Sequence, residues 1–230
     1  NVCSAGFECV DGACTECPGG ECPAGDLYAA CFGEGTVVQL ESETLDVVGN
    51  EASGIDGPQS LAFLGDDYLL VLGSLDQQLH VFDRSSMQRV GSVSVGTAPN
   101  QVLVRGTRAW VISSGENTVQ VIDLSDPASP ATVDEVSLGE GKNPMAGAFD
   151  ESGTLWISAL LTGELIAVDF DGERGTVESV VTLDTTGLEG SPFPTGVAIV
   201  GQTVYVTLNN LGGDFLPAGN GRLATWNRET

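Results

Sequence analysis

The feature that most constrains this chain is a repeat. The segments "LLVLGSLDQQLHVFD", "AWVISSGENTVQVID" and "LWISALLTGELIAVD" share one layout: an apolar strand, a polar turn, a second alternating strand and a closing aspartate (Asp83, Asp123, Asp169). The position of Trp110 is matched by Leu70, Trp156 and Tyr205, and a proline stands eleven or twelve residues before each: Pro58, Pro99, Pro144 and Pro194. Each unit therefore reads as four short strands. Strand a follows the proline, b carries the large side chain, c ends at the aspartate, and d is "VGSVSV", "VDEVSL" or "VESVVTL". Four antiparallel strands in a period of about 40–45 residues mark a propeller blade. Period-2 alternation and β-branched content exclude a helical solenoid. The fold class is all-β: a β-propeller with three full blades, at about 58–96, 99–139 and 144–183, and two partial ones. Residues 36–48 match only strands c and d, and the chain from Pro194 matches a, b and c. If those two pieces pair, they close a four-bladed ring. If not, further chain supplies the missing blades, and that is the expectation here, because an open ring leaves apolar blade faces in water.

The blades resemble YVTN-type β-propeller repeats, named for a strand such as "VYVTLNN" (204–210). "VQVIDLSDPASPATVDEVSLG" also resembles the LVIVD repeat of related surface propellers. The resemblance covers about residues 36–230 and implies an extracellular or cell-surface protein, usually without known catalysis. The segment "LNNLGGDFLPAGNGRLATWN" departs from the pattern: it lengthens the b–c turn and ends at Asn227 where the repeat has aspartate.

A different segment precedes the repeats. Cys3, Cys9, Cys14, Cys17, Cys22 and Cys31 are the six cysteines of the chain, set among Gly, Pro and acids. Residues 1–33 read as a segment too short for a core and held by up to three disulfides, with the propeller at 34–230. The composition does not choose the pairing. Zinc on the "CTEC" thiolates is the rival reading, weakened by the lack of a second CxxC or a nearby histidine. The stretch resembles cysteine-rich spacers near the mature N-terminus of exported bacterial proteins, often lipoproteins of myxobacteria-like organisms. That resemblance implies export to the periplasm, outer membrane or cell surface, and leaves a lipid anchor upstream of Asn1 open.

Acids outnumber bases 32 to 8, for a net charge of −24 at pH 7. Such a surface repels nucleic acid and anionic lipid. It reads first as a solvated surface and, in the alternative, as a surface that takes calcium through carboxylates. No cofactor is required by any motif. No apolar run approaches the roughly 18 residues of a membrane span.

Catalytic constellations are missing from the sequence. His80, the one histidine, lies in "QLHVFD" and is expected to face away from its apolar neighbours, as a surface or blade-packing residue. The repeated aspartates read as turn caps. "DFDGERG" resembles part of a calcium loop through Asp169, Asp171 and Glu173, but its glycine is misplaced and a turn is the simpler reading. Trp110, Trp156 and Tyr205 read as blade-to-blade packing. A binding site is expected on the face made by the d–a and b–c loops, around the channel mouth. Its candidate residues are Asp76, Asn100, Glu116, Asn117, Asn143, Glu164, Asn209, Asn210 and Asp214. The function expected is non-catalytic binding or assembly outside the cell, with a protein or a further propeller chain as partner. A lactonase-like or quinoprotein-like enzyme and a surface-layer or filament subunit are the alternatives.

Overall fold

The computed structural model describes residues 7–10 and 13–16 as backbone, and residues 27–172 and 174–228 in full. Among the described residues all the elements are β-strands. The first two, β1 (Phe7–Val10) and β2 (Ala13–Glu16), form a hairpin that sets the backbone of Cys9 opposite that of Cys14. Five antiparallel sheets follow, each from consecutive strands. Sheet one holds β3 (Leu27–Cys31), β4 (Thr36–Leu40) and β5 (Val47–Ser53). Sheet two holds β6 (Pro58–Leu64), β7 (Tyr68–Gly73), β8 (Gln78–Asp83) and β9 (Gln88–Ser94). Sheet three holds β10 (Pro99–Arg105), β11 (Arg108–Ser113), β12 (Thr118–Asp123) and β13 (Ala131–Ser137). Sheet four holds β14 (Pro144–Phe149), β15 (Leu155–Ala159), β16 (Glu164–Asp171) and β17 (Arg174–Thr182). Sheet five holds β18 (Pro194–Val200), β19 (Thr203–Leu208) and β20 (Arg222–Asn227). Each full blade thus starts at its proline, as the repeat predicts. No helix among the described residues is long and apolar enough to cross a membrane.

Sheet one has a third strand, β3, ahead of the expected c and d strands, so among the described residues it includes Leu27–Cys31 upstream of residue 34. The small side chains of Ala29, Ala30 and Cys31 hid it from the repeat. As expected, the two partial blades do not close a four-bladed ring: sheets one and five are separate, and no described strand of one pairs with the other. Cys31, the last residue of β3, is a free thiol, and the side chains of the other five cysteines lie outside the described residues.

The core lies between blades. Alternate residues of a strand face opposite neighbours, so the b strands are apolar throughout and buried on both sides. Leu70, Leu72, Leu79 and Val81 pack on Ala109, Val111 and Ile122 of sheet three. Trp110, Ile112, Val119 and Val121 pack on Leu155, Ile157, Ile166 and Val168 of sheet four. Trp156, Leu165 and Ala167 meet Val204, Val206 and Leu208 of sheet five. Full burial of each such side chain is worth about 1.5–3 kcal/mol. Trp110 also meets Phe149 and Phe170 edge-on, at 4.8 and 5.7 Å between centroids. The Trp110 and Trp156 positions are therefore packing positions, as expected. Tyr205 takes the same place on the outward face of sheet five, where no described blade covers it.

Candidate functional site

The inner strands β6, β10, β14 and β18 run side by side and line the channel. Each opens with a bulge just after its proline, with register breaks at Pro58/Ser60, Pro99/Gln101, Pro144/Gly147 and Pro194/Val197. A bulge leaves backbone groups unpaired and re-aims side chains. Neighbouring blades satisfy those groups. Ser60 Oγ accepts the Val102 N–H at 3.1 Å, and Gln101 Oε1 accepts the Gly147 N–H at 2.7 Å. Next to them Gln59 Nε2 donates to Asn100 Oδ1 at 3.4 Å, and Asn100 Nδ2 donates to the Pro144 carbonyl at 2.8 Å. Asn100 thereby ties three blades together at the rim. Further round, Asn209 Nδ2 donates to Thr195 Oγ1 at 3.3 Å.

The loops above this rim are held by a repeated device. The residue before each proline sits in the left-handed region: Gly57 (φ 65), Ala98 (φ 49), Asn143 (φ 50) and Phe193 (φ 40). That turn aims the carbonyls of Gly57, Ala98 and Asn143 at the b–c loop, where they accept the N–H groups of Ser74, Ser114 and Leu160 at 2.9–3.0 Å. Asn117 and Asn210 are also left-handed, at φ 57 and 54. Asparagine tolerates that conformation better than most residues.

Most candidate residues of this face spend their polar atoms on the loops. Asn117 Oδ1 accepts the Asn143 N–H at 2.8 Å. Asn210 is buried, accepts from the Gly190 N–H and donates to the Asn220 carbonyl. Asp214 caps the Leu216 N–H. Glu164 pairs with Lys142, the only lysine of the chain, at 2.5 Å and accepts the Thr162 hydroxyl. Burial pushes the Glu164 carboxyl up, but these donors outweigh it and hold its pKa below the ordinary value. Glu116 is exposed.

Of the two places expected for His80, surface or blade packing, the structure shows the second: it is only 2% exposed. Its Nε2 donates to Asp76 Oδ2 at 2.9 Å, and the same oxygen accepts the Asp56 N–H at 3.1 Å. Asp76 in turn lines a hollow of about 510 Å³ with Phe32, Glu34, Ile55 and Asp56, at the seam of sheets one and two. Burial lowers the His80 pKa below 6.5, so the ring is neutral at pH 7.

The opposite face carries a cluster that the sequence did not reveal. Asp150, in the a–b turn of sheet four, is buried. Its Oδ1 accepts the N–H groups of Ser152, Gly153 and Thr154 at 2.9–3.1 Å. Its Oδ2 accepts Trp156 Nε1 at 2.9 Å and Arg228 Nη1 at 2.5 Å. Burial pushes this carboxyl up, but the bonds from Ser152, Trp156 and Arg228 win and bring its pKa to about 2. Together with Gln202 and Glu151 these groups line a cleft of about 380 Å³ between sheets four and five. Arg84 holds the same repeat position as Arg228 and likewise reaches back one blade, over the rings of Tyr28 and Phe63.

The repeated aspartates cap turns where expected. Asp83 Oδ1 accepts the Ser85 and Ser86 hydroxyls and the Ser86 N–H, and Asp123 Oδ1 accepts the Ser125 N–H. Asp169 instead accepts the Thr154 hydroxyl. Glu173 lies outside the described residues. Among the described residues no group of three or more His, Cys, Asp or Glu is placed to hold a metal ion.

No family model and no curated protein sequence matches the chain. Solved structures match it in fold. Kuenenia stuttgartiensis hydrazine synthase aligns with a TM-score of 0.67 at 19% identity, over 88% of this chain and 62% of that one. A candidate 6-phosphogluconolactonase of Bacteroides fragilis aligns at 0.62 and 13% identity, over 76% and 57%. The Myceliophteria thermophila Cps50 (Swd1) β-propeller domain aligns at 0.61 and 16% identity, over 80% and 59%. These matches cover between 57% and 62% of the length of the solved chains. At such identities the likeness extends to the fold alone, and that fold is a β-propeller.

Proposed function

We propose that this chain is a non-catalytic binding and assembly module of an exported, cell-surface propeller, and that its channel-mouth face takes a protein partner. The observation that carries the reading is the rim itself. Gln59, Asn100 and the Pro144 carbonyl form a hydrogen-bonded chain across three blades, which presents polar groups in fixed positions without further ordering cost. The net charge of −24 favours a basic partner and steers its approach. The resemblance to YVTN and LVIVD surface repeats and the cysteine-rich head support an extracellular setting, with disulfides in the head. The test is a turnover screen on lactones and sugars, with and without calcium, beside a partner search by affinity capture. Turnover abolished by Asn100→Ala would overturn the binding reading in favour of a propeller enzyme.

A further propeller chain is the second partner we propose, from a separate observation. The outward face of sheet five exposes Val200 (67%) and Leu223 (56%), and that of sheet one exposes Leu27 and Val47. Leu79 and Val81, and Leu165 and Ala167, the counterparts of Leu223 and Thr225 on the outward face, are buried by the next blade. Ordered assemblies in negative-stain images would favour a structural subunit.

A further inference from the structure

The seam between sheets one and two holds a buried group that the binding reading does not use. His80 lies opposite Val71 and two residues before Phe82, so its ring is on the face that packs against Val37, Ala52 and Ile55. Two charged groups act on the ring. Asp76 of the b–c turn accepts from Nε2, and Arg89 of β9 stands close enough to oppose a positive ring. The guanidinium of Arg89 lies over Phe82 at 5.6 Å and donates to the carbonyls of Ser53 and Gly54, which end sheet one. Sheet one itself brings apolar side chains to this cluster. His80 Nδ1 and Asp76 Oδ1 are buried with no hydrogen-bond partner.

With Nε2–H donated to Asp76, any added proton must go to Nδ1. A proton taken from solvent there makes a buried N–H donor with nothing to accept it, in a seam that already holds Arg89. Burial of the ring and the Arg89 guanidinium outweigh the pull of the Asp76 carboxylate, so folding of this seam opposes protonation. We propose that His80 is an acid-sensitive latch: protonation of its ring loosens the seam between sheets one and two and releases the first blade, with its side of the Glu34–Asp76 hollow, ahead of the remaining blades. The folded value lies below the ordinary 6.5. The latch is thus fully set above that pH and weakens as the pH falls through the window beneath it. The chain has one histidine, the side chain whose unperturbed charge change falls in this range. Release is local because blades bind only their neighbours, and sheet one has one neighbour among the described residues.

Hydrogen exchange read by mass spectrometry at about pH 7.5 and about pH 5 tests this, after correction for the intrinsic pH dependence of exchange. In the wild-type chain, peptides within 27–57 should lose protection at the lower pH while peptides within 99–182 keep theirs. In His80→Gln, which keeps a donor for Asp76 but does not titrate, the 27–57 peptides should exchange alike at both values. Unchanged wild-type protection, or the same acid loss in His80→Gln, overturns the latch. An NMR titration of the single imidazole needs no variant. It should give a midpoint below 6.5 that coincides with the loss of protection, and a midpoint at or above 6.5 contradicts the proposal.

Discussion

Asp150→Asn separates charge from shape at the seam of sheets four and five. The asparagine keeps Oδ1 and with it the turn that caps Ser152, Gly153 and Thr154. It replaces Oδ2 by an amide NH2 facing two donors, Trp156 Nε1 and Arg228 Nη1. Leaving a buried donor unmet costs about 1–3 kcal/mol, and breaking a buried ion pair costs about 3–5 kcal/mol. Because Arg228 retains its bond to the Gly201 carbonyl, we take the low end, about 3 kcal/mol. For a chain of this size that is a fall in Tm of about 6–12 °C. Urea unfolding at neutral pH measures it. Acid gives a second reading. The folded carboxyl titrates at about 2 against an ordinary 3.8, so its stabilisation is present above 3.8 and is lost as the pH falls towards 2. That difference corresponds to about 2 kcal/mol, so wild type should lose about that much more than Asp150→Asn over this range. A loss below about 1 kcal/mol at neutral pH, together with parallel acid profiles, would refute a structural ion pair here.

Further outcomes follow from other parts of the fold. Asn100→Ala should cost about 1–2 kcal/mol by urea unfolding, since it removes bonds to Gln59 and Pro144; no change would mean the rim is not braced. Ala98→Gly should stabilise by up to about 1 kcal/mol, because it relieves a left-handed alanine at φ 49; a loss of stability would contradict that account. The melting temperature should rise between about 0.01 and 0.15 M salt, as screening shortens the reach of the surplus acids from about 30 to about 8 Å. A flat response would show local compensation, and a further rise with micromolar calcium but not sodium would indicate specific sites. Alkylation without reduction, followed by intact mass, tests the head: three bridges leave no label, whereas two labels, one of them at Cys31, limit the bridges to two.

The blades were legible because proline and aspartate punctuate each unit and the b strands stay apolar on both faces. Strand β3 was not, since Ala29, Ala30 and Cys31 lack the bulk of the other b strands and neither Pro18 nor Pro23 stands at the spacing of the repeat. The loop positions of the candidate residues were legible, but not the hydrogen bonds that their side chains make. Asn117, Asn143 and Asn210 occupy loops at the mouth because each adopts a left-handed backbone conformation, and their side chains hold neighbouring turns or pack within them. The blade-packing place of His80 was legible, but not its partner: Asp76, four residues earlier, allows it to be buried. The Asp150–Arg228 pair is 78 residues apart and joins successive blades, so no local pattern reveals it. The only signal is the shared repeat position of Arg84 and Arg228.

The measurement that tests the binding reading most directly is cross-linking of the native assembly with a carboxylate-reactive reagent, which suits a chain with 32 acids and one lysine. The account predicts partner peptides joined to acids of the mouth loops, among them Glu116, Glu140 and Asp214. Links confined to the opposite face, around Glu151 and Asp171, would contradict it.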